Sequence, residues 1–140
     1  MAKVLLDTDI LSEILKGKNP AVATKASAYL TEHGHFTTSA VTVAEIVYGL
    51  SRVGREDRVA LFEASLANAE VLPFDDEAAR LAGRINADLE RAGRTIGLPD
   101  VMIAAIAIRR GLAVVTGNTA HFEHVRATKY DLLIENWRLH

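Results

Sequence analysis

Apolar residues fall along this chain in two kinds of run. Val4-Leu5-Leu6 is a short uninterrupted triplet of the kind a buried parallel strand carries. From Ile10 the spacing changes: Ile10, Leu11, Ile14 and Leu15 recur at i, i+1, i+4, i+5, which gives a helix one buried face. Gly17-Lys18-Asn19-Pro20 is a turn, and Ala21 to Thr31 reads as a helix that stops before Glu32-His33-Gly34-His35. Phe36-Thr37-Thr38 is a second short strand, leading to Ser39. Val43, Ile46, Val47 and Leu50 then predict a helix broken at Gly54. A further helix is expected over Glu56 to Ala69, with Val59, Phe62 and Leu66 inward. Val71-Leu72-Pro73-Phe74 is expected as a strand, and Pro73 assigns it to an edge.

In the second half, Ala78, Leu81, Ala82, Ile85 and Leu89 mark an amphipathic helix with Arg80, Arg84, Asp88 and Arg91 outward and Gly93 just past its end. The loop Arg94 to Pro99 opens a helix over Val101 to Arg110 that is apolar nearly all round and is ended by Gly111. Leu112-Ala113-Val114-Val115 is another buried strand, running into Thr116-Gly117-Asn118, and Leu132-Leu133-Ile134 is a candidate last strand. There is no repeat or low-complexity tract. Alternating strands and helices predict one α/β domain over residues 1–140, with a mainly parallel central sheet flanked by helices and right-handed crossovers.

Composition narrows the classes. The chain has 140 residues, 49% hydrophobic and 24% charged, which suits an ordinary globular domain. A net charge of −2 gives no general electrostatic case for nucleic acid, so any such binding must come from a local site. The chain has no cysteine, which removes disulfides, thiolate zinc sites and cysteine nucleophiles. The apolar stretch at the start is cut by Asp7 and is too short for a signal peptide. The longest apolar run, Val101 to Ile108, falls far short of the ~20 residues that cross a bilayer. A cytoplasmic chain with no membrane contact is expected.

Four polar residues occupy comparable places in this pattern. Asp7 ends the first strand, Glu45 lies in the first turn of a helix that follows a strand, Asp100 lies in the first turn of the most buried helix, and Asn118 follows a strand. Each has a local explanation. Asp7 or Asp9 caps a helix, Thr42-Val43-Ala44-Glu45 fits a capping box, Asp100 behind Pro99 suits the positive end of a helix dipole, and Gly117-Asn118 is an ordinary turn pair. Together they point to one place, because open α/β sheets gather their chemistry at the carboxyl ends of the strands. Two carboxylates ~5 Å apart repel by roughly 3 kcal/mol at an effective dielectric near ~20. Three such pairs approach ~10 kcal/mol, comparable to the stability of a whole domain. Protons or a cation must offset that repulsion, and with oxygen ligands alone the cation is a hard one, Mg²⁺ or Mn²⁺.

Five blocks of the sequence, in order, resemble the motifs of PIN domains. They are Leu5-Leu6-Asp7-Thr8-Asp9-Ile10-Leu11-Ser12, Ser39-Ala40-Val41-Thr42-Val43-Ala44-Glu45-Ile46, Leu72-Pro73-Phe74-Asp75, Pro99-Asp100-Val101-Met102-Ile103-Ala104-Ala105-Ile106-Ala107, and Val115-Thr116-Gly117-Asn118 with His121-Phe122. The chain is most similar to VapC-type toxins of bacterial toxin–antitoxin pairs. That resemblance implies a metal-dependent ribonuclease acting on RNA, an antitoxin partner and a homodimer. It places Asp7, Glu45 and Asp100 at the family's acidic positions, as catalytic and metal-binding residues. Asn118 stands where members often carry Asp, and as a ligand it would contribute no charge.

Other features carry less. His121 and His124 form an i, i+3 pair with no third ligand nearby, and a surface pair is expected; no histidine is expected on the carboxylate edge. Arg52, Arg55 and Arg58 read either as a basic rim for RNA phosphates or as solvated charge beside Glu56 and Asp57. Apolar residues left over on the helices Ile10 to Leu15 and Val43 to Leu50 would supply surface for a homodimer and an antitoxin. Two alternatives remain. One is a phosphatase resembling the haloacid dehalogenases, with Asp7-Thr8-Asp9 as nucleophile motif and Asp75-Asp76 as its later acidic pair; the other is a non-catalytic binding module.

Overall fold

Two buried apolar triplets form the centre of the sheet. β1 (Val4–Leu6) and β4 (Ala113–Val115) are buried at every position and pair in parallel, with Leu5 opposite Val114. This computed structural model describes residues 1–139; His140, the last residue of the expected domain, lies outside the described residues. β5 (Ile134–Glu135) adds to the far side of β4, again in parallel. β2 (Phe36–Ser39) pairs in parallel with β3 (Ala69–Leu72) and lies beside β1, where the Thr38 hydroxyl donates to the Leu6 carbonyl at 2.9 Å. A three-stranded sheet, β1-β4-β5, and a two-stranded one, β2-β3, thus lie side by side with β2 next to β1, and each paired ladder is parallel as the alternating pattern predicts.

Strand side chains alternate between two faces, so β1 feeds two cores. Leu5 and Val114 pack with α5 (Asp76–Arg91), α6 (Leu98–Arg110) and α7 (Thr119–Thr128), through residues such as Ile85, Leu89, Ile103 and Phe122. Val4, Leu6 and Val115 pack on the other face against α1 (Thr8–Lys16), α2 (Pro20–His33), α3 (Ala40–Arg52) and α4 (Glu56–Ser65), through Ile10, Tyr29, Ile46 and Phe62. Trp137 from the C-terminal segment completes this second core, its ring 5.7 Å from that of Tyr29. Val101 and every residue from Ile103 to Ala107 are buried, as a helix apolar nearly all round requires.

Several expected boundaries move for identifiable reasons. The helix expected over Glu56 to Ala69 stops at Ser65, passes through a 3₁₀ turn at Leu66–Asn68, and gives way to β3 at Ala69. β3 ends at Leu72 because Pro73 has no N–H to extend the ladder. The last strand shifts to Ile134–Glu135, while Leu132 turns into the core. α7 has no counterpart in the sequence reading: only Phe122 and Val125 are buried along it, too short a stripe to register as a period.

Candidate active site

Asp7 follows β1 directly. Its backbone N–H donates to the Val115 carbonyl at 2.9 Å, so the residue is held at the point where β1 and β4 end together. It caps α1 from an extended conformation, with Oδ1 accepting from the Thr8 N–H at 2.7 Å. Oδ2 accepts from the hydroxyl of Thr116, the residue after β4, at 2.8 Å. Capping and a place at the sheet's carboxyl edge thus coincide in one side chain. Asp7 is only 4% exposed, and among the described residues no cation pairs with it. Burial pushes its carboxyl up to about 7; the bonds from Thr116 and Thr8 oppose that rise, while the charges of Asp9 and Asp100 add to it.

Glu45 reaches the same edge from α3. The helix is capped by Ser39, whose hydroxyl accepts from the Thr42 N–H at 3.0 Å. Glu45 therefore lies in the second turn rather than the first, and the expected Thr42–Glu45 capping box does not form. Its Oε1 instead accepts from the Thr8 hydroxyl at 2.6 Å. Thr8, adjacent to Asp7 in the chain, is the link between the two acids.

Asp100 stands in the first turn of α6, behind Pro99. It is near enough for its charge to act on Asp7. Asn118 lies beside it, with Nδ2 3.4 Å from Asp100 Oδ2. The turn at Asn118 is made by its backbone, whose N–H donates to Thr116 Oγ1 at 2.9 Å, and its side chain makes no cap for α7. The amide is accordingly left to face the site. His121 joins them: Nδ1 is 2.7 Å from Asp100 Oδ2 and 2.8 Å from Asn118 Nδ2. The expectation that no histidine lies on the carboxylate edge is overturned for His121. The signal was the i, i+3 spacing from Asn118, which has meaning only on the unpredicted helix α7. Thr8, Thr116 and Asp9, whose Oδ2 accepts from the Gly117 N–H at 2.9 Å, were also missed as members of the site.

The donors are all oxygen or amide and imidazole groups. Among the described residues no three acidic or histidine side chains gather tightly enough to hold an ion on their own. A sparse set of this kind suits Mg²⁺, which usually takes one or two carboxylates and completes its sphere with water and substrate phosphate. A nearly buried carboxylate without a cationic partner, close to a second one, is the feature that fits a divalent cation here.

A groove of about 610 Å³ opens beside Thr8 and Glu45. Leu15, Ile46, Leu50 and Leu61 line it together with Lys16, Lys18, Arg55 and Arg58. These include apolar residues from both helices expected to have surface to spare. Arg55 pairs with Asp57, as the solvated-charge reading expects, and Arg52 lies over the Tyr48 ring; Arg55 and Arg58 line the groove with the two lysines. The acidic pair proposed for a phosphatase is used locally: Asp75 caps α5 by accepting from the Ala78 N–H at 2.9 Å, and Asp76 pairs with Arg80.

Known proteins share this sequence and fold. The family model described as "PIN domain" matches residues 4–127. The chain is 36% identical over 138 residues to the tRNA(fMet)-specific endonuclease VapC of Shigella flexneri, covering 98% of this chain and 99% of that protein. It is 33% identical, with the same coverage, to Ribonuclease VapC2 of Haemophilus influenzae. Its fold superimposes on the crystal structure of DNA-bound VapBC from Salmonella typhimurium with a TM-score of 0.82, at 33% identity and covering 98% and 99% of the two chains. By family match, sequence and fold alike, this chain belongs to the PIN-domain family, among its VapC ribonucleases.

Proposed function

We propose that this chain is a Mg²⁺-dependent endoribonuclease, with Mn²⁺ an effective substitute, and that it is the cytoplasmic toxin of a toxin–antitoxin pair. The observation that carries the proposal is the convergence of Asp7, Glu45 and Asp100 at the carboxyl edge of a parallel sheet, with Asp7 buried and paired with no basic side chain among the described residues. Asp7 and Asp100 are the residues that would hold the metal, supported by Glu45; Asn118 would join them only with its amide turned, since its nitrogen faces Asp100. A divalent ion there would supply a Lewis acid for the phosphate oxygens and an acidified water.

The chain's own groups do the rest. Thr116 and the Thr8 N–H fix the two Asp7 oxygens, so this carboxylate presents one orientation to the crevice. Glu45, oriented by Thr8, orients the attacking water and takes its proton. The 2′-hydroxyl of the RNA is not required as nucleophile. The groove beside Glu45 offers apolar surface and four basic side chains to a partner, and an antitoxin segment seated there would cover the approach to the site. Homodimerisation through the remaining exposed apolar residues, such as Tyr48 and Val53, belongs to the same proposal. tRNA(fMet), the substrate in the name of the Shigella flexneri relative, is the first RNA to try.

The test is hydrolysis of that tRNA by the purified chain with Mg²⁺ or Mn²⁺, beside Asp7→Asn and Asp100→Asn. Cleavage by the parent that both variants lose is the expected result. An inert parent, or variants as active as the parent, would refute the assignment.

A further inference from the structure

The C-terminal segment makes a contact that the proposed reaction does not use. α1 carries Asp9 and Glu13 four residues apart, hence on one side of the helix. The Arg138 guanidinium spans both: Nε donates to Glu13 Oε1 at 2.9 Å, and Nη2 lies 3.6 Å from Asp9 Oδ2. Among the described residues the other Glu13 oxygen is buried without a partner, and Arg138 is the counter-ion of this carboxylate. Arg138 is itself placed by its neighbours. Trp137 is anchored in the core, and the Arg138 N–H donates to Asn136 Oδ1 at 3.0 Å.

Asp9 in turn holds the active-site loop, since the same Oδ2 accepts from the Gly117 N–H. Gly117 is flanked by Thr116, which bonds Asp7, and by Asn118, whose amide lies against Asp100. Gly117 is not in the left-handed region, so backbone freedom does not explain a glycine here. A Cβ at this position would overlap the end of the Arg138 side chain and lie 2.8 Å from Asp9 Oδ2, so any side chain here displaces the guanidinium from its place. Glycine, aspartate and arginine are fitted to one another.

We propose that Arg138 is a positioning residue that, through Asp9, fixes the Thr116-Gly117-Asn118 loop and with it the groups that hold Asp7 and face Asp100. The inference rests on the ribonuclease proposal for the consequence in rate, but the placement of the loop is measurable without it. The test compares the full-length parent with Arg138→Gln and Gly117→Ala by amide NMR and by steady-state hydrolysis. In Arg138→Gln the Gly117 and Asn118 resonances should move and Gly117 hydrogen exchange should quicken by about tenfold or more, while Trp137 fluorescence stays that of a buried indole. Turnover should fall about 10- to 100-fold with KM within about twofold, as for misplaced catalytic groups rather than lost binding.

Gly117→Ala should reproduce this by displacing the guanidinium. The double variant should be no slower than the slower single, because both changes break one device. Unchanged Gly117 exchange in Arg138→Gln would overturn the inference whatever the activity, and so would additive losses in the double variant. If the parent cleaves no RNA, the proposed function fails while the exchange measurement still decides the role of Arg138.

Discussion

Replacing Asp7 by Asn should remove activity and make the metal-free protein more stable. The carboxyl is held at about 7 against an ordinary 3.8, because burial disfavours its charge more than two hydrogen bonds favour it. Between those two values the folded chain keeps a proton that the unfolded chain has released. Stability therefore falls as pH rises through this window and is level above it. The gap is roughly 3 units, worth about 4 kcal/mol at about pH 8. Asn cannot ionise, and it preserves the local bonding. Its oxygen still accepts from the Thr8 N–H, and its amide donates to Thr116 Oγ1, whose hydroxyl turns to accept.

After some loss to imperfect geometry, a gain of about 2 to 4 kcal/mol is expected at about pH 8, disappearing below about pH 3 where both states of the parent are protonated. For a domain of this size that is a rise in Tm of roughly 8 to 15 °C at the alkaline end. Calorimetric melts with a chelator present, at a series of pH values, read this directly. Millimolar Mg²⁺ should then raise the Tm of the parent at alkaline pH and leave the variant nearly unmoved, since only the parent keeps the charged ligand. A variant that melts at or below the parent at about pH 8, or a gap that does not change with pH, would refute the reasoning: Asp7 would then be a structural cap and not a strained site carboxylate.

Other outcomes follow from the same geometry. Thr116→Val removes a bond that favours the Asp7 carboxylate, so the acid limb of the pH–rate profile should move to higher pH, and Thr116→Ser should restore it. Glu45→Gln keeps an oxygen for the Thr8 hydroxyl yet loses the base, so hydrolysis should fall by about 10²- to 10⁴-fold with an unchanged melt. The RNA fragments should carry a 5′-phosphate and a 3′-hydroxyl, a substrate with deoxyribose at the cut should still react, and excess chelator should stop cleavage; a 2′,3′-cyclic phosphate found by mass spectrometry would reject the mechanism. Expression without an antitoxin should arrest bacterial growth, with Asp100→Asn as the harmless control.

What was legible in the sequence, and what was not, divides along a physical line. Val4 to Leu6, the Val43-Ile46-Val47-Leu50 stripe and the apolar helix before Arg109 announce themselves because burial imposes a period on neighbouring residues. Asp7 and Asp100 stand out because a carboxylate at the edge of an apolar run is conspicuous. The groups that handle those acids leave no such trace. Thr116 reaches Asp7 across 109 positions and Thr8 reaches Glu45 across 37, contacts that exist only because β1 lies between β2 and β4. The sequence shows His121 but does not place it beside Asp100, for a compound reason: α7 buries too little to show a period, and without the helix the spacing from Asn118 means nothing. The Glu45 turn was misplaced because Ser39 and Thr42 both offer a capping hydroxyl, and only the end of β2 at Ser39 decides between them. Arg138 is the extreme case, a tail residue whose role depends on a glycine and on two acids of a helix 125 and 129 positions away. Acids that end apolar runs can therefore be read from a chain by itself, whereas the groups that orient them, Asp9 included, are chosen by topology. Substitutions among those orienting residues should consequently alter rate more than stability, the opposite of the pattern expected at Asp7.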